Sequence, residues 1–92
     1  MHLEIVSPEA TLFSGDVVSV TVPGLLGEFQ MLENHAPIVS LLTEGEVKIQ
    51  GDLSISEEFQ DRFTSGEQGQ KVLKIRSGTL ELKDNRIVLL AD

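Results

Sequence analysis

Val18-Ser19-Val20-Thr21-Val22-Pro23-Gly24 alternates branched apolar residues with small polar ones, a period of two that predicts a β-strand with three valines on one sheet face. Pro23 has no N–H to donate and Gly24 tolerates positive φ, so this pair is expected to end the strand. Gly27 supplies a second flexible point, and the stretch between these turn points and Pro37 reads as a projecting loop. Pro37 biases Ala36 toward extended backbone, which makes His35-Ala36-Pro37 a stiff connector into a strand beginning at Ile38.

The same alternation continues on both sides. Upstream, Leu3-Glu4-Ile5-Val6 predicts an opening strand closed by Ser7-Pro8-Glu9, Ala10 to Phe13 a second strand, and Ser14-Gly15-Asp16 a reversal. Downstream, Ile38 to Leu42 is apolar, branched and too short for a helix, and Thr43-Glu44-Gly45 turns the chain. Val47 and Ile49, followed beyond Gly51-Asp52 by Leu53 and Ile55, predict a hairpin. Glu57 to Gln70 is polar and contains glycine, so it reads as a mobile surface loop or an extended hairpin arm. Phe59 and Phe63 within it are spaced to share one face of a helical turn.

Regular patterning returns with Leu73 and Ile75, with Val72, Lys74 and Arg76 on the other face. Gly78 allows a tight change of direction, Leu80 and Leu82 form another strand, Asp84-Asn85 turns it, and Arg86 to Ala91 is the last. About ten short strands without a sustained helical period imply an all-β fold, an antiparallel β-sandwich or flattened barrel. Residues 1–92 are expected to form a single domain.

Seven basic residues against fifteen acidic ones give a net charge of −8, which disfavours nucleic acid and anionic lipid as direct partners. No Lys or Arg occurs from Met1 to Val47, where Glu4, Glu9, Asp16, Glu28, Glu33, Glu44 and Glu46 all lie. That half presents either a solvated acidic face or a docking face for a basic partner. Cysteine is absent, so no disulfide or thiolate metal site exists. No apolar run reaches the roughly 18 residues of a membrane span, and Met1-His2-Leu3-Glu4 lacks the features of a signal peptide; a soluble chain beginning at its domain is expected.

Chemistry finds little support in the residue pattern. His2 and His35 are the only histidines and have no ligand spacing around them, so no metal is expected. The serines lack a nucleophile elbow, and the glycines are spaced as turns rather than as a phosphate cradle, so neither catalysis nor a cofactor is expected. A binding module for carbohydrate or peptide is an alternative, but the chain has no Trp or Tyr and only Phe13, Phe29, Phe59 and Phe63 to stack on a ring.

One longer stretch, Gly27-Glu28-Phe29-Gln30-Met31-Leu32-Glu33-Asn34-His35-Ala36-Pro37, resembles the signature of the F-type ATP synthase epsilon subunit: Gly-Glu, an apolar-rich stretch, then His-Ala-Pro. The resemblance extends through Ile5-Val6-Ser7-Pro8-Glu9, Leu12-Phe13-Ser14-Gly15, Val20-Thr21-Val22-Pro23-Gly24, Leu42-Thr43-Glu44-Gly45 and Val88-Leu89-Leu90-Ala91-Asp92, and so covers most of the chain. It implies a ten-stranded sandwich acting as a non-catalytic rotor subunit. Such a subunit links gamma to the membrane c ring in the central stalk and supports coupling of proton flow to ATP synthesis. It would not self-oligomerise, and it would sit on the cytoplasmic face of a bacterial inner membrane through its partners.

Carried to matching positions, the resemblance implies a c-ring contact at Glu28, Phe29 and Gln30, and a gamma-facing or loop-structuring role for His35 and Pro37. Gln30 stands where the family usually has glycine, Ser77-Gly78 where it often has paired glycines, and residues 57–70 where its connection is usually shorter. Long members of the family continue past Leu-Ala-Asp into two helices that bind ATP or inhibit hydrolysis. The sequence ends at Asp92, so the expectation is coupling without ATP binding or hairpin inhibition.

Overall fold

Pairs of apolar residues two apart recur in most of the strands, and each buries one of its faces against the others. The structure, a computed structural model, describes all residues Met1–Asp92. Its ten strands are β1 (His2–Val6), β2 (Thr11–Asp16), β3 (Ser19–Gly24), β4 (Gly27–Leu32), β5 (Ile38–Leu42), β6 (Gly45–Gln50), β7 (Phe63–Ser65), β8 (Lys71–Ile75), β9 (Gly78–Lys83) and β10 (Arg86–Ala91). Strands β2-β1-β10-β9-β5 form one layer and β4-β3-β6-β8-β7 the other. The layers join at one corner, where Gly24 pairs with Leu42 and the Thr43 N–H donates to the Pro23 carbonyl at 2.9 Å.

Between the layers lie Leu3, Ile5, Val20, Val22, Met31, Val47, Ile49, Leu73, Leu80, Leu82, Ile87 and Leu89, all essentially buried. The all-β sandwich expected from the period-two pattern is present. One pairing departs from the antiparallel expectation: β1 runs parallel to β10, with Leu3 beside Ile87 and Ile5 beside Leu89. Both strands feed one buried face, and an antiparallel partner, β2 or β9, flanks each on its other edge.

Several boundaries move for identifiable reasons. Ser14-Gly15-Asp16 does not reverse the chain but completes β2, paired with Glu4, Leu3 and His2. The turn falls at Val17-Val18, where Val17 takes the buried corner and its N–H donates to the Met1 carbonyl at 2.8 Å. Val18 is therefore expelled, 61% exposed, and only Val20 and Val22 of the three valines face the core. Pro23-Gly24 ends β3 as expected, as its last two paired residues. Pro23 faces Glu28 in β4, and its missing N–H falls where β6 has left β3, so no ladder bond is lost.

The Leu53–Ile55 stretch does not form a hairpin with β6, because β6 already has β3 on one edge and β8 on the other. Leu53 and Ile55 lie instead as partly buried cover against the core. Residues 57–70 are ordered as a six-residue 3-10 helix (Glu57–Arg62), strand β7 and a short 3-10 turn (Glu67–Gly69). Phe63 begins β7 and is buried, whereas Phe59 packs partly against the core from the helix. This segment explains why Val72, expected outward, is buried: Gly66 approaches so closely that a Cβ there would meet Val72 Cγ2 at 2.7 Å.

Candidate functional site

Gly24 pairs with Gly27 across a hairpin turn joining β3 to β4, with Leu25 and Leu26 between them and Gly27, the residue that follows, at a positive φ of 124°. The projecting loop expected here is therefore a strand hairpin with only Leu25 and Leu26 at its tip, both exposed. Glu28, Phe29 and Gln30 lie on β4 opposite Pro23, Val22 and Thr21. Alternation separates them. Glu28 and Gln30 turn outward, while Phe29 packs against the core and lies over Gly24, where a Cβ would come within 2.8 Å of its ring.

Glu28 is not a free charge. Lys48, on β6 across the intervening β3, places Nζ 3.1 Å from Glu28 Oε2, and both side chains remain partly exposed. The Glu28 carboxylate, by hydrogen bond and by charge, and then Glu46 and Glu67 by charge, hold the Lys48 ammonium above its ordinary pKa. Lys48 is an ordinary outward residue of an alternating strand in the sequence. Its role appears only once β3 brings β4 and β6 to its two edges.

His35 is half-buried at the end of the β4–β5 connection. Its backbone N–H donates to the Leu32 carbonyl at 3.1 Å, and its Nδ1 lies 2.7 Å from the Ala36 carbonyl. A carbonyl can only accept, so Nδ1 is the donor in this contact. His35 thus braces its own loop. Pro37 is exposed, and Val39 and Leu41 share its outward face along β5. Val39 is 77% exposed. From Leu41 the apolar surface continues to Leu25 and Leu26 on one side and to Leu90 on the other.

The opposite end of that connection is fixed by polar contacts. Glu33 accepts from Asn85 Nδ2 at 2.6 Å and from the Met1 α-amino group at 2.9 Å, and Asn85 Oδ1 accepts the Asn34 N–H at 2.8 Å. The Asn85 hydrogen bond first, and the amine second, hold the Glu33 carboxyl below its ordinary pKa. No cluster of His, Cys, Asp and Glu is disposed to hold a metal ion. All four phenylalanines turn inward, Phe13 and Phe63 buried and Phe29 and Phe59 packed on the core, which removes the stacking platform that a sugar-binding face uses.

The fold is a ten-stranded β-sandwich that leaves apolar and acidic surface exposed. The family model for the ATP synthase delta/epsilon chain β-sandwich domain matches residues 1–92. The ATP synthase epsilon chain of Chlorobium limicola is 37% identical over 90 residues, covering 98% of this chain and 86% of that relative. That of Campylobacter curvus is 36% identical over 92 residues, which are all of this chain and 60% of the relative. A chain in the central stalk and c-ring structure of Tetrahymena thermophila mitochondrial ATP synthase superposes with a TM-score of 0.75 at 13% identity, over 99% of this chain and 62% of that one. This chain belongs to the ATP synthase delta/epsilon β-sandwich family. It is a non-catalytic subunit, associated with a membrane as part of the ATP synthase complex.

Proposed function

We propose that residues 1–92 act as one unit of the rotor, seated between the gamma subunit and the c ring on the cytoplasmic face of a bacterial inner membrane. The observation that carries this reading is the exposed apolar band running from Leu25 and Leu26 over Val39 and Leu41 to Leu90. Surface of that kind on a small acidic chain is suited to protein partners. In this reading, Val39 and Leu41, with His35 and Pro37 at the start of β5, meet gamma. The β3–β4 hairpin, with Glu28 and Gln30 turned outward, meets the polar loops of the c ring. Its acidic charge suits a basic residue on those loops, setting register more than affinity.

Co-purification from detergent-solubilised membranes tests both halves. Gamma and c subunits are expected to accompany the tagged chain. Val39→Asp with Leu41→Asp is expected to lose gamma, and Glu28→Lys to weaken retention of the ring. Recovery of the chain without either subunit would overturn the reading.

A further inference from the structure

The geometry points to Lys48 as a positioning residue for the acidic contact. It holds Glu28 through Oε2 and leaves the other oxygen of this half-exposed carboxylate for a cation on a partner loop, an assignment that rests on the reading in which Glu28 meets the c ring.

The two residues differ in how firmly the fold holds them. Lys48 sits on β6, hydrogen-bonded into the layer between β3 and β8, with Thr21 on one side and Val72 on the other. Glu28 sits on β4, which pairs with β3 alone, two residues past the exposed hairpin tip. A glutamate on an edge strand samples several rotamers, and a partner that needs one of them must overcome that entropy on binding. The Lys48 ammonium selects the arrangement before the partner arrives.

One ammonium does not exhaust the carboxylate, which offers about four lone-pair directions on two oxygens. Lys48 bonds one oxygen. A second base can therefore approach Oε1 without displacing it. Glu46 and Glu67 also act on Lys48, so the surface around the pair keeps acidic charge to attract that base. Lysine's ordinary value of 10.5 already keeps the ammonium charged through the physiological range, and Glu28 first, then Glu46 and Glu67, act in the same direction.

The test is a double-mutant cycle on the full chain, reading binding to the detergent-solubilised c ring, with thermal melts to verify folding. Glu28→Gln is expected to weaken ring binding about fivefold, and Lys48→Met about threefold. In the Glu28→Gln background, Lys48→Met is expected to change nothing, because no carboxylate remains to position, and Lys48→Arg should preserve binding in the parent. An NMR titration of Lys48 in the free chain should show its pKa falling on Glu28→Gln. Tighter ring binding by Lys48→Met would make Lys48 a competitor of the partner's base and overturn the proposal. Equal losses from Lys48→Met in both backgrounds would also overturn it, since the effect would not pass through Glu28. If Glu28→Gln binds the ring like the parent, the ring-facing reading itself fails, and the positioning role fails with it.

Discussion

Asn85 Nδ2 donates to Glu33 Oε1 at 2.6 Å, so the turn between β9 and β10 grips the connection that leaves β4. Asp84 and Asn85 both adopt positive φ, 51° and 61°, as a two-residue hairpin turn demands. That backbone aims the Asn85 amide so that one side chain serves both Glu33 and the Asn34 N–H.

The first prediction is a pH effect. The fold lowers the Glu33 pKa from 4.5, so its stabilisation is complete above 4.5 and is lost as the pH falls through the folded-state value. Glu33→Gln should therefore be less stable than the parent at neutral pH, with the difference closing in more acidic solution. Denaturant melts across that range check it, and a gap independent of pH would contradict it.

Val18 and Val20 form a second test. The two look equivalent in the alternating run, yet Val18 is exposed and Val20 fully buried. Val20→Ala should cost about 2 kcal/mol through lost burial and a residual cavity, and Val18→Ala less than about 0.5. Urea midpoints of the two variants measure the contrast.

Gly78 supplies a third. It lies in β9 between Ala91 of β10 and Leu42 of β5, and a Cβ there would meet the Leu90 carbonyl oxygen at 2.6 Å. The residue thus permits close approach of neighbouring backbones rather than the change of direction its sequence context implies. Gly78→Ala should destabilise by about 1–3 kcal/mol, since the obstacle is backbone that cannot swing aside. A thermal melt unchanged from the parent would contradict this.

Phe63→Ala is the fourth. Phe63 is buried under the segment that precedes β8, so truncation should cost about 3 kcal/mol and free residues 57–70 to exchange their amide hydrogens faster. Phe59→Ala, at a partly buried position, should cost less. Hydrogen exchange read residue by residue separates the two.

Strands with one wet and one dry face were legible because their alternation is local: Val47 and Ile49, Leu80 and Leu82, Ile87 and Leu89 all bury as the period predicts. Val18 was not, since nothing in the run shows that Val17 already occupies the corner. The hairpin at Leu25-Leu26 was hidden because its turn residues are apolar and only the flanking glycines mark it. Phe29 and Glu28 belong to one contiguous signature, yet the pleat sends them to opposite faces. Lys48 escaped notice for a different reason. Its partner is twenty residues away on a strand that is not its hydrogen-bonded neighbour, so no local pattern records the pair.

The parallel pairing of β1 with β10 also bears on the order of synthesis. A ribosome makes His2–Val6 before the other nine strands and Arg86–Ala91 after them, and in the folded sandwich these segments are hydrogen-bonded side by side. Until the last strand exists, the first has an open edge, and the layer that holds β1, β10 and β9 cannot be assembled. Such distant pairing is slow to form and leaves unpaired edges exposed meanwhile. The sandwich therefore cannot close until its tenth strand has emerged, and its first strand waits longest for its neighbour.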